Sequence, residues 1–141
     1  MDAIKDTISF HKDAQPSVGL KNFWPPEDGF VWSTGRWCEI TFECSPRKPP
    51  GKRIVELEIE LDVFKAPPEL GGQNIFIYVN GLRLASRFIT GRIIVLLEAP
   101  ATASDNLITI DTPDATRPSD HGLEDSRRLG VQIYAIQVRE V

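Results

Sequence analysis

Residues 53–64, RIVELEIELDVF, alternate between aliphatic and acidic side chains. A period of two places one set on each face of an extended strand. On a helix the same residues would be scattered around the circumference and would form no apolar stripe. The segment therefore predicts a strand with one face in a core and the other in water. The aliphatic face comprises Leu57, Ile59, Leu61 and Val63, and the acidic face comprises Glu56, Glu58, Glu60 and Asp62.

Other short segments carry strand patterns bounded by turn residues. Asn80-Gly81 is the strongest hairpin signal and predicts that the segments on either side pair. The closing segment is apolar on both faces and rich in β-branched residues, which predicts a central strand. The further predicted strands are 7–10, 37–43, 74–79, 82–88, 92–98, 106–110 and 129–141, with a long loop at 111–126.

The fold class follows from these eight or nine strands. The 11 prolines and 10 glycines are spread along the chain and oppose helices. Short, regularly spaced strands with turn signals indicate a sandwich or a barrel. We predict an all-β, two-sheet antiparallel β-sandwich of jelly-roll-like type. It would span residues 1–141 as a single domain, with 1–22 as a peripheral N-terminal segment.

Charge and hydropathy narrow the expected partners. The net charge is -4, so no general basic field would attract nucleic acid. The longest apolar run, residues 93–97, is far too short to span a membrane. The first ten residues carry Asp2 and Asp6 and lack an apolar core of secretory length. We therefore expect a cytoplasmic protein with no signal peptide, no membrane span and no nucleic-acid partner.

Cys38 and Cys44 are the only cysteines. On one strand they would share a face and lie roughly 20 Å apart, beyond disulfide reach. We predict two buried free thiols. His11 and His121 offer no spacing suited to zinc, so neither a metal site nor a cofactor is expected.

Short motifs at both ends of the chain resemble a known family. The first is GFVWSTGRW, residues 29–37, and the second is EDSRRLGVQIYAIQV, residues 124–138. Between them a predicted strand closes in Val79-Asn80-Gly81. This order resembles β-sandwich accessory domains of bacterial polysaccharide-related proteins, often appended to glycosyltransferases. The resemblance covers roughly residues 23–138. It implies a jelly-roll-like fold and a carbohydrate or a glycosyltransferase-type protein as partner.

The resemblance also implies that Asp125 and Arg127 matter. Both lie just before the predicted central strand. Arg127 could make a two-point contact with a carboxylate such as Glu27 or Asp125. The alternative is that these residues hold the loop to the sheet and bind nothing.

A group of aromatic residues, Trp24, Trp32, Trp37 and Tyr78, could stack on the C–H faces of sugar rings. Pro25 and Pro26 would hold Trp24 on a surface turn, whereas each tryptophan could instead be a core residue. Glu27, Asp28, Asn80, Asp125 and Arg127 could bind hydroxyl groups. The predicted ligand-binding residues are Trp24, Glu27, Trp32, Trp37, Asn80, Asp125 and Arg127.

Catalytic interpretations find little support. There is no G-x-S-x-G motif, and closeness of His121, Asp125 and Ser126 along a loop does not supply triad geometry. The acidic strand face has no apolar pocket to raise one carboxyl pKa. Calcium is chemically possible among five loop carboxylates, but their spacing matches no EF-hand or similar loop, and a solvated loop is expected. They are Asp111, Asp114, Asp120, Glu124 and Asp125.

The sequence thus predicts a non-catalytic carbohydrate-binding or polysaccharide-associated module, with no catalytic residues. The alternative is a structural or assembly domain that contacts another protein or forms a homo-oligomer through its aromatic surface.

Overall fold

The computed structural model describes residues 5–9, 19–43, 53–102 and 105–140. These residues contain ten strands and one four-residue 3₁₀ helix, Pro118–His121. The strands are β1 (Lys5–Ser9), β2 (Gly19–Lys21), β3 (Val31–Trp32), β4 (Trp37–Glu43), β5 (Arg53–Val63), β6 (Gln73–Val79), β7 (Leu82–Ile89), β8 (Ile93–Ala101), β9 (Asp105–Asp111) and β10 (Val131–Glu140). None of the helices in this part of the chain is long and apolar enough to cross a membrane.

The strands form two five-stranded sheets. The first has the order β1-β10-β5-β8, and β3 also pairs with β10. The second has the order β2-β4-β9-β6-β7. Every pair is antiparallel. The predicted two-sheet antiparallel sandwich is confirmed, and β10 is central in its sheet, as expected.

The alternating pattern of β5 determines which face enters the core. Leu57, Ile59 and Leu61 are fully buried, whereas Glu58 is exposed. The aliphatic side chains of β5 join those of β6, β9 and β10 in one core between the sheets. Burial of this apolar surface is the main force that holds the two layers together.

Cys38 lies in β4, on the core face with Ile40 and Phe42. Its thiol is fully buried and donates a long hydrogen bond to the carbonyl of Ile110 (3.8 Å), and burial raises the pKa of the thiol well above its ordinary value. The prediction of a buried free thiol therefore holds for Cys38. Cys44 lies outside the described residues.

The predicted hairpin between β6 and β7 is present. Asn80 and Gly81 have φ angles of 51° and 82°, the left-handed region that a tight hairpin turn requires. The Asn80 side chain accepts a hydrogen bond from the Leu107 backbone (2.8 Å) and donates to Asn106 Oδ1 (3.0 Å). These bonds tie the hairpin to β9.

Most differences from prediction concern short elements, although β8 extends to Ala101 beyond its predicted end at residue 98, and β10 begins at Val131 rather than at residue 129. The first strand is Lys5–Ser9 rather than 7–10. β2 and β3 have three and two residues, too few for a detectable period. The predicted loop 111–126 begins one residue too early, since β9 ends at Asp111, and it contains the 3₁₀ helix.

Candidate functional site

The connection between β9 and β10, residues 112–130, folds back onto the end of the sandwich. Thr116 and Leu129 form an isolated β-bridge, and the Ser119 backbone N–H donates to the carbonyl of Asp125 (2.8 Å). Gly122 ends the 3₁₀ helix with a φ of 84°, a conformation that glycine adopts without strain. The loop is therefore held in one shape by backbone bonds.

Asp125 and Arg127 form the two-point contact that the sequence suggested. Arg127 Nη2 donates to Asp125 Oδ2 (2.8 Å), Arg127 Nε donates to Asp125 Oδ1 (3.2 Å), and the Arg127 backbone N–H also donates to Oδ1 (2.9 Å). The bonds from Arg127 lower the pKa of Asp125, and the carboxylate raises the pKa of Arg127. Asp125 therefore fixes the direction of the guanidinium group.

Glu27 approaches the same arginine from the segment before β3. Its Oε2 atom lies 3.7 Å from Arg127 Nη1, within ion-pair range but longer than a hydrogen bond. This oxygen is buried and has no hydrogen-bond partner among the described residues. Because this oxygen is enclosed by protein, its role is to balance the charge of Arg127, and it is not open to a ligand.

Trp24 is fixed beside the arginine. Its indole Nε1–H donates to the carbonyl of Arg128 (2.8 Å), and its ring centroid lies 6.0 Å from the Arg127 guanidinium carbon. The ring also packs against a small buried cluster of Phe64, Ala66 and Leu129. These contacts occupy part of the indole surface. The remaining exposed part can serve as one wall of a site.

Trp24 and Arg127 border an open depression of about 380 Å³. Arg127 is neutralised by Asp125 and Glu27, whereas Arg117 and Arg128 have no carboxylate partner among the described residues. Sequence reasoning missed most of the lining, because isolated polar loop residues carry no periodic signal. The lining residues are Trp24, Thr34, Arg117, Ser126, Arg127 and Arg128.

Trp32 is a neighbour of this site and lies outside its lining. Its backbone carbonyl accepts a bond from the Trp24 N–H (2.9 Å), and its side chain packs against the same buried cluster. Its ring meets Phe30 edge-on at 6.5 Å, and Phe30 lies 6.0 Å from Tyr134. The ring of Trp32 is therefore largely occupied by intramolecular packing.

Trp37 belongs to a different surface. It begins β4 on the outer face of the second sheet, 43% exposed, with the Tyr78 ring 6.1 Å away. Arg36 lies 5.8 Å from the Trp37 ring and donates to Asp111 through Nε (2.9 Å) and Nη2 (3.3 Å). The three tryptophans therefore do not form the single flat platform that the sequence suggested.

Asn80 is also separate from the depression. The loop 112–130 contacts the other end of β6, where Asp114 accepts a bond from the Asn74 backbone (2.9 Å). Asn80 follows the last residue of that strand, and its amide is bonded to Asn106 and Leu107 of β9. The structure thus brings together Trp24, Glu27, Asp125 and Arg127, with Trp32 adjacent, and places Trp37 and Asn80 elsewhere.

Three of the five carboxylates considered for calcium have side-chain partners within the protein. Asp111 pairs with Arg36, Asp114 with Asn74, and Asp125 with Arg127. Among the described residues, no three or more His, Cys, Asp or Glu side chains converge as metal ligands.

The fold has clear counterparts among solved structures, although no family model and no curated protein matches this chain. One is the CBM22-1 xylan-binding domain from Paenibacillus barcinonensis Xyn10C (TM-score 0.53, 13% identity, 96% of this chain and 92% of that one). Another is CBM35 from Cellvibrio japonicus Abf62 (TM-score 0.52, 8% identity, 96% and 92%). A family two carbohydrate esterase from Cellvibrio japonicus also matches (TM-score 0.55, 11% identity, 99% and 34%). This chain has the β-sandwich fold found in solved carbohydrate-binding modules.

Proposed function

We propose that this protein is a non-catalytic carbohydrate-binding module and that the depression beside Trp24 and Arg127 is its binding site. The observation that carries the proposal is the fixed Trp24–Arg127–Asp125 unit. Asp125 holds the guanidinium at two points, and the Arg128 carbonyl holds the indole. A site whose groups are ordered beforehand loses less conformational entropy when a ligand binds.

The lining suits saccharide recognition. The guanidinium groups of Arg117 and Arg128 are donors for hydroxyl and carboxylate oxygens, and Ser126 both donates and accepts. The exposed part of the Trp24 indole is suited to the C–H face of a sugar ring.

The charge of the depression favours an acidic saccharide. Two of its three arginines have no carboxylate partner among the described residues, although the whole chain is negative at -4. A carboxylate or sulfate ester on the sugar would meet these guanidinium groups in a two-point arrangement. A neutral oligosaccharide would keep only the hydroxyl and indole contacts.

The geometry of the loop supports binding without catalysis. The His121 ring lies 6.1 Å from the Phe64 ring, and the Asp125 carboxylate is bound by Arg127. His121, Asp125 and Ser126 therefore do not form the relay of a nucleophilic triad.

A glycosyltransferase-type partner is the further prediction that the resemblance implies.

The proposal is tested by titrating the protein with matched neutral and uronic-acid oligosaccharides and measuring the dissociation constants calorimetrically. Arg117→Ala and Arg128→Ala should weaken binding of the acidic ligand by about tenfold each, the usual effect of losing a charged contact. Arg87→Ala is the matched control, since Arg87 is an exposed arginine of β7 away from the lining. Absence of saccharide binding, or equal weakening by the control, would overturn the proposal.

A further inference from the structure

The edge strand β8 presents an apolar surface that the saccharide site does not use. β8 is the last strand of the first sheet and pairs on one side with β5. Its other side pairs with no strand among the described residues. Ile94 is 57% exposed and Leu96 is 67% exposed, both on the outer face. Exposed apolar edge strands are sites of strand addition.

Backbone parity shows which residues of β8 face the open edge. Successive residues of a strand direct their backbone N–H and C=O groups to opposite neighbouring strands. The Phe64 N–H, directly after β5, donates to the Gly130 carbonyl on the β10 side (3.0 Å). The backbone groups of even-numbered residues of β5 therefore point to β10, and those of odd-numbered residues point to β8. The β5–β8 register pairs Ile59 with Val95, hence odd with odd. Even-numbered residues of β8 therefore direct their N–H and C=O groups to the open edge. Pro100, which has no N–H, is one of them.

The segment of residues 92–98, RIIVLLE, is complementary to itself in antiparallel orientation. A two-fold axis at Val95 places Arg92 opposite Glu98 of a second copy, and Ile94 opposite Leu96 of that copy. The backbone groups of Ile94 and Leu96 both point to the open edge, so this pair would exchange two backbone hydrogen bonds. Moving the axis to Leu96 would instead set Ile94 against Glu98 and Arg92 against Pro100. Only the register with its axis at Val95 pairs opposite charges and also pairs aliphatic side chains with each other.

Arg92 extends over the outer face of the first sheet. Its guanidinium carbon lies 3.6 Å from the Tyr134 ring centroid, and its Nε donates to Glu60 Oε2 (2.7 Å) on the outer face of β5. Glu60 and Tyr134 lie on the paired side of β8, so the guanidinium must turn toward the open edge to bind a carboxylate of a second copy. Among the described residues Glu98 has no ion-pair partner. Each copy thus presents one arginine and one carboxylate at opposite ends of the edge.

The acidic face of β5 does not oppose this pairing strongly. In the joined sheet the two β5 strands would be three strand spacings apart, roughly 14 Å. That distance exceeds the Debye length of about 8 Å at physiological ionic strength, so the two rows of carboxylates would be largely screened. The edge of the other sheet differs, because β7 carries Arg83 and Arg87 among its exposed residues.

From this geometry we propose that two copies of the protein associate through β8, which forms one continuous sheet with Arg92 of each copy paired with Glu98 of the other. Sedimentation equilibrium of the full chain should show a monomer–dimer equilibrium. Leu96→Lys should weaken it at least tenfold. Phe88→Lys is the matched control, since Phe88 is equally exposed on β7, and it should leave the equilibrium unchanged.

A charge exchange tests the register. Arg92→Glu gives an edge with two carboxylates, and Glu98→Arg gives an edge with two arginines, so each variant alone should be monomeric. A 1:1 mixture should dimerise, because both cross-strand pairs again have opposite charges. Thermal melting of each variant establishes that it is folded. A monomeric wild-type protein, dimers of Leu96→Lys, or a mixture that stays monomeric would each overturn the proposal. Saccharide affinity is measured separately and does not decide the result.

Discussion

Two tryptophans in this molecule occupy similar local arrangements on different surfaces. Trp24 lies beside Arg127, which is held at two points by Asp125, and Trp37 lies beside Arg36, which is held at two points by Asp111. The guanidinium carbons are 6.0 Å and 5.8 Å from the respective ring centroids. Local composition alone would rank the two units as equal candidates for ligand binding.

Their surroundings differ. The unit at Trp24 borders a depression with two further arginines, and the side chains of Arg127 and Asp125 are about equally exposed, at 34% and 33%. The unit at Trp37 lies on a sheet face, where Arg36 is 60% exposed and Asp111 only 6%. We therefore expect ligand binding at the Trp24 unit, where the surrounding backbone supplies a concave surface and two arginines without carboxylate partners among the described residues.

Replacing each tryptophan by alanine should separate the two units most clearly. Trp24→Ala should weaken saccharide binding by about tenfold or more, because truncating a central tryptophan removes the aromatic surface on which a sugar ring would stack. Trp37→Ala should leave the affinity unchanged. Calorimetric titration of both variants with one acidic oligosaccharide measures the contrast.

Both proteins should be checked by thermal melting, so that a folding defect is not mistaken for a lost contact. Equal affinities for Trp24→Ala and the wild type would remove Trp24 from the site. A loss confined to Trp37→Ala would move the site to the outer face of the second sheet.

The unit at Trp37 should contribute more to thermal stability than the unit at Trp24, the opposite of the order expected for saccharide affinity. Arg36→Met leaves the buried Asp111 carboxylate without its counter-charge, so we expect Tm to fall by about 5–10 °C. Arg127→Met leaves Asp125, which water can reach, and the fall should be within about 3 °C. Differential scanning calorimetry of the two variants gives the comparison.

Ligand affinity should reverse that order, with Arg127→Met the weaker binder. A larger fall in Tm for Arg127→Met than for Arg36→Met would mean that Arg127 is mainly a structural residue, the alternative considered for it from the sequence.

The pH dependence of the contribution of Asp125 to the free energy of unfolding should be the weakest of these effects. The pKa of Asp125 is lower in the folded protein than in the unfolded chain, where it is about 3.9, because Arg127 stabilises the charged form. The stabilisation is therefore complete above that value and is lost as the pH falls through the folded pKa. Since the side chain is one-third exposed, the contribution is at most about 0.5 kcal/mol.

Denaturant unfolding of the wild type and Asp125→Asn at pH 6 and at pH 3 measures the contribution of Asp125 to stability. The stability difference between the two proteins should shrink at the lower pH. A difference that grew on acidification would have the wrong sign for this ion pair.

Periodic patterns were enough to predict most of the fold. β4 was predicted with both of its bounds, and the buried row in β5 and the Asn80-Gly81 turn were also anticipated. Each of these features depends on local chemistry: alternation selects a face, and a turn needs residues that tolerate positive φ. The edge position of β8 was not predictable, because Ile94 and Leu96 give the same aliphatic pattern whether or not a neighbouring strand covers them.

The site was predicted less completely. Trp24, Glu27, Asp125 and Arg127 converge as neighbours, but Trp37 and Asn80 do not. The sequence shows which side chains are suited to sugars, whereas their convergence depends on how the loop 112–130 returns to the sandwich. That path rests on backbone bonds between residues far apart in the chain, such as Thr116 with Leu129, and no local pattern records them.

The most direct test of the saccharide site is a ¹H–¹⁵N NMR titration that follows the indole N–H signals of the three tryptophans as an acidic oligosaccharide is added. The Trp24 signal should shift, together with the backbone signals of Arg117, Ser126 and Arg128, while the Trp37 signal stays in place. A shift of Trp37 with Trp24 unchanged, or no shift at any saccharide concentration, would contradict it.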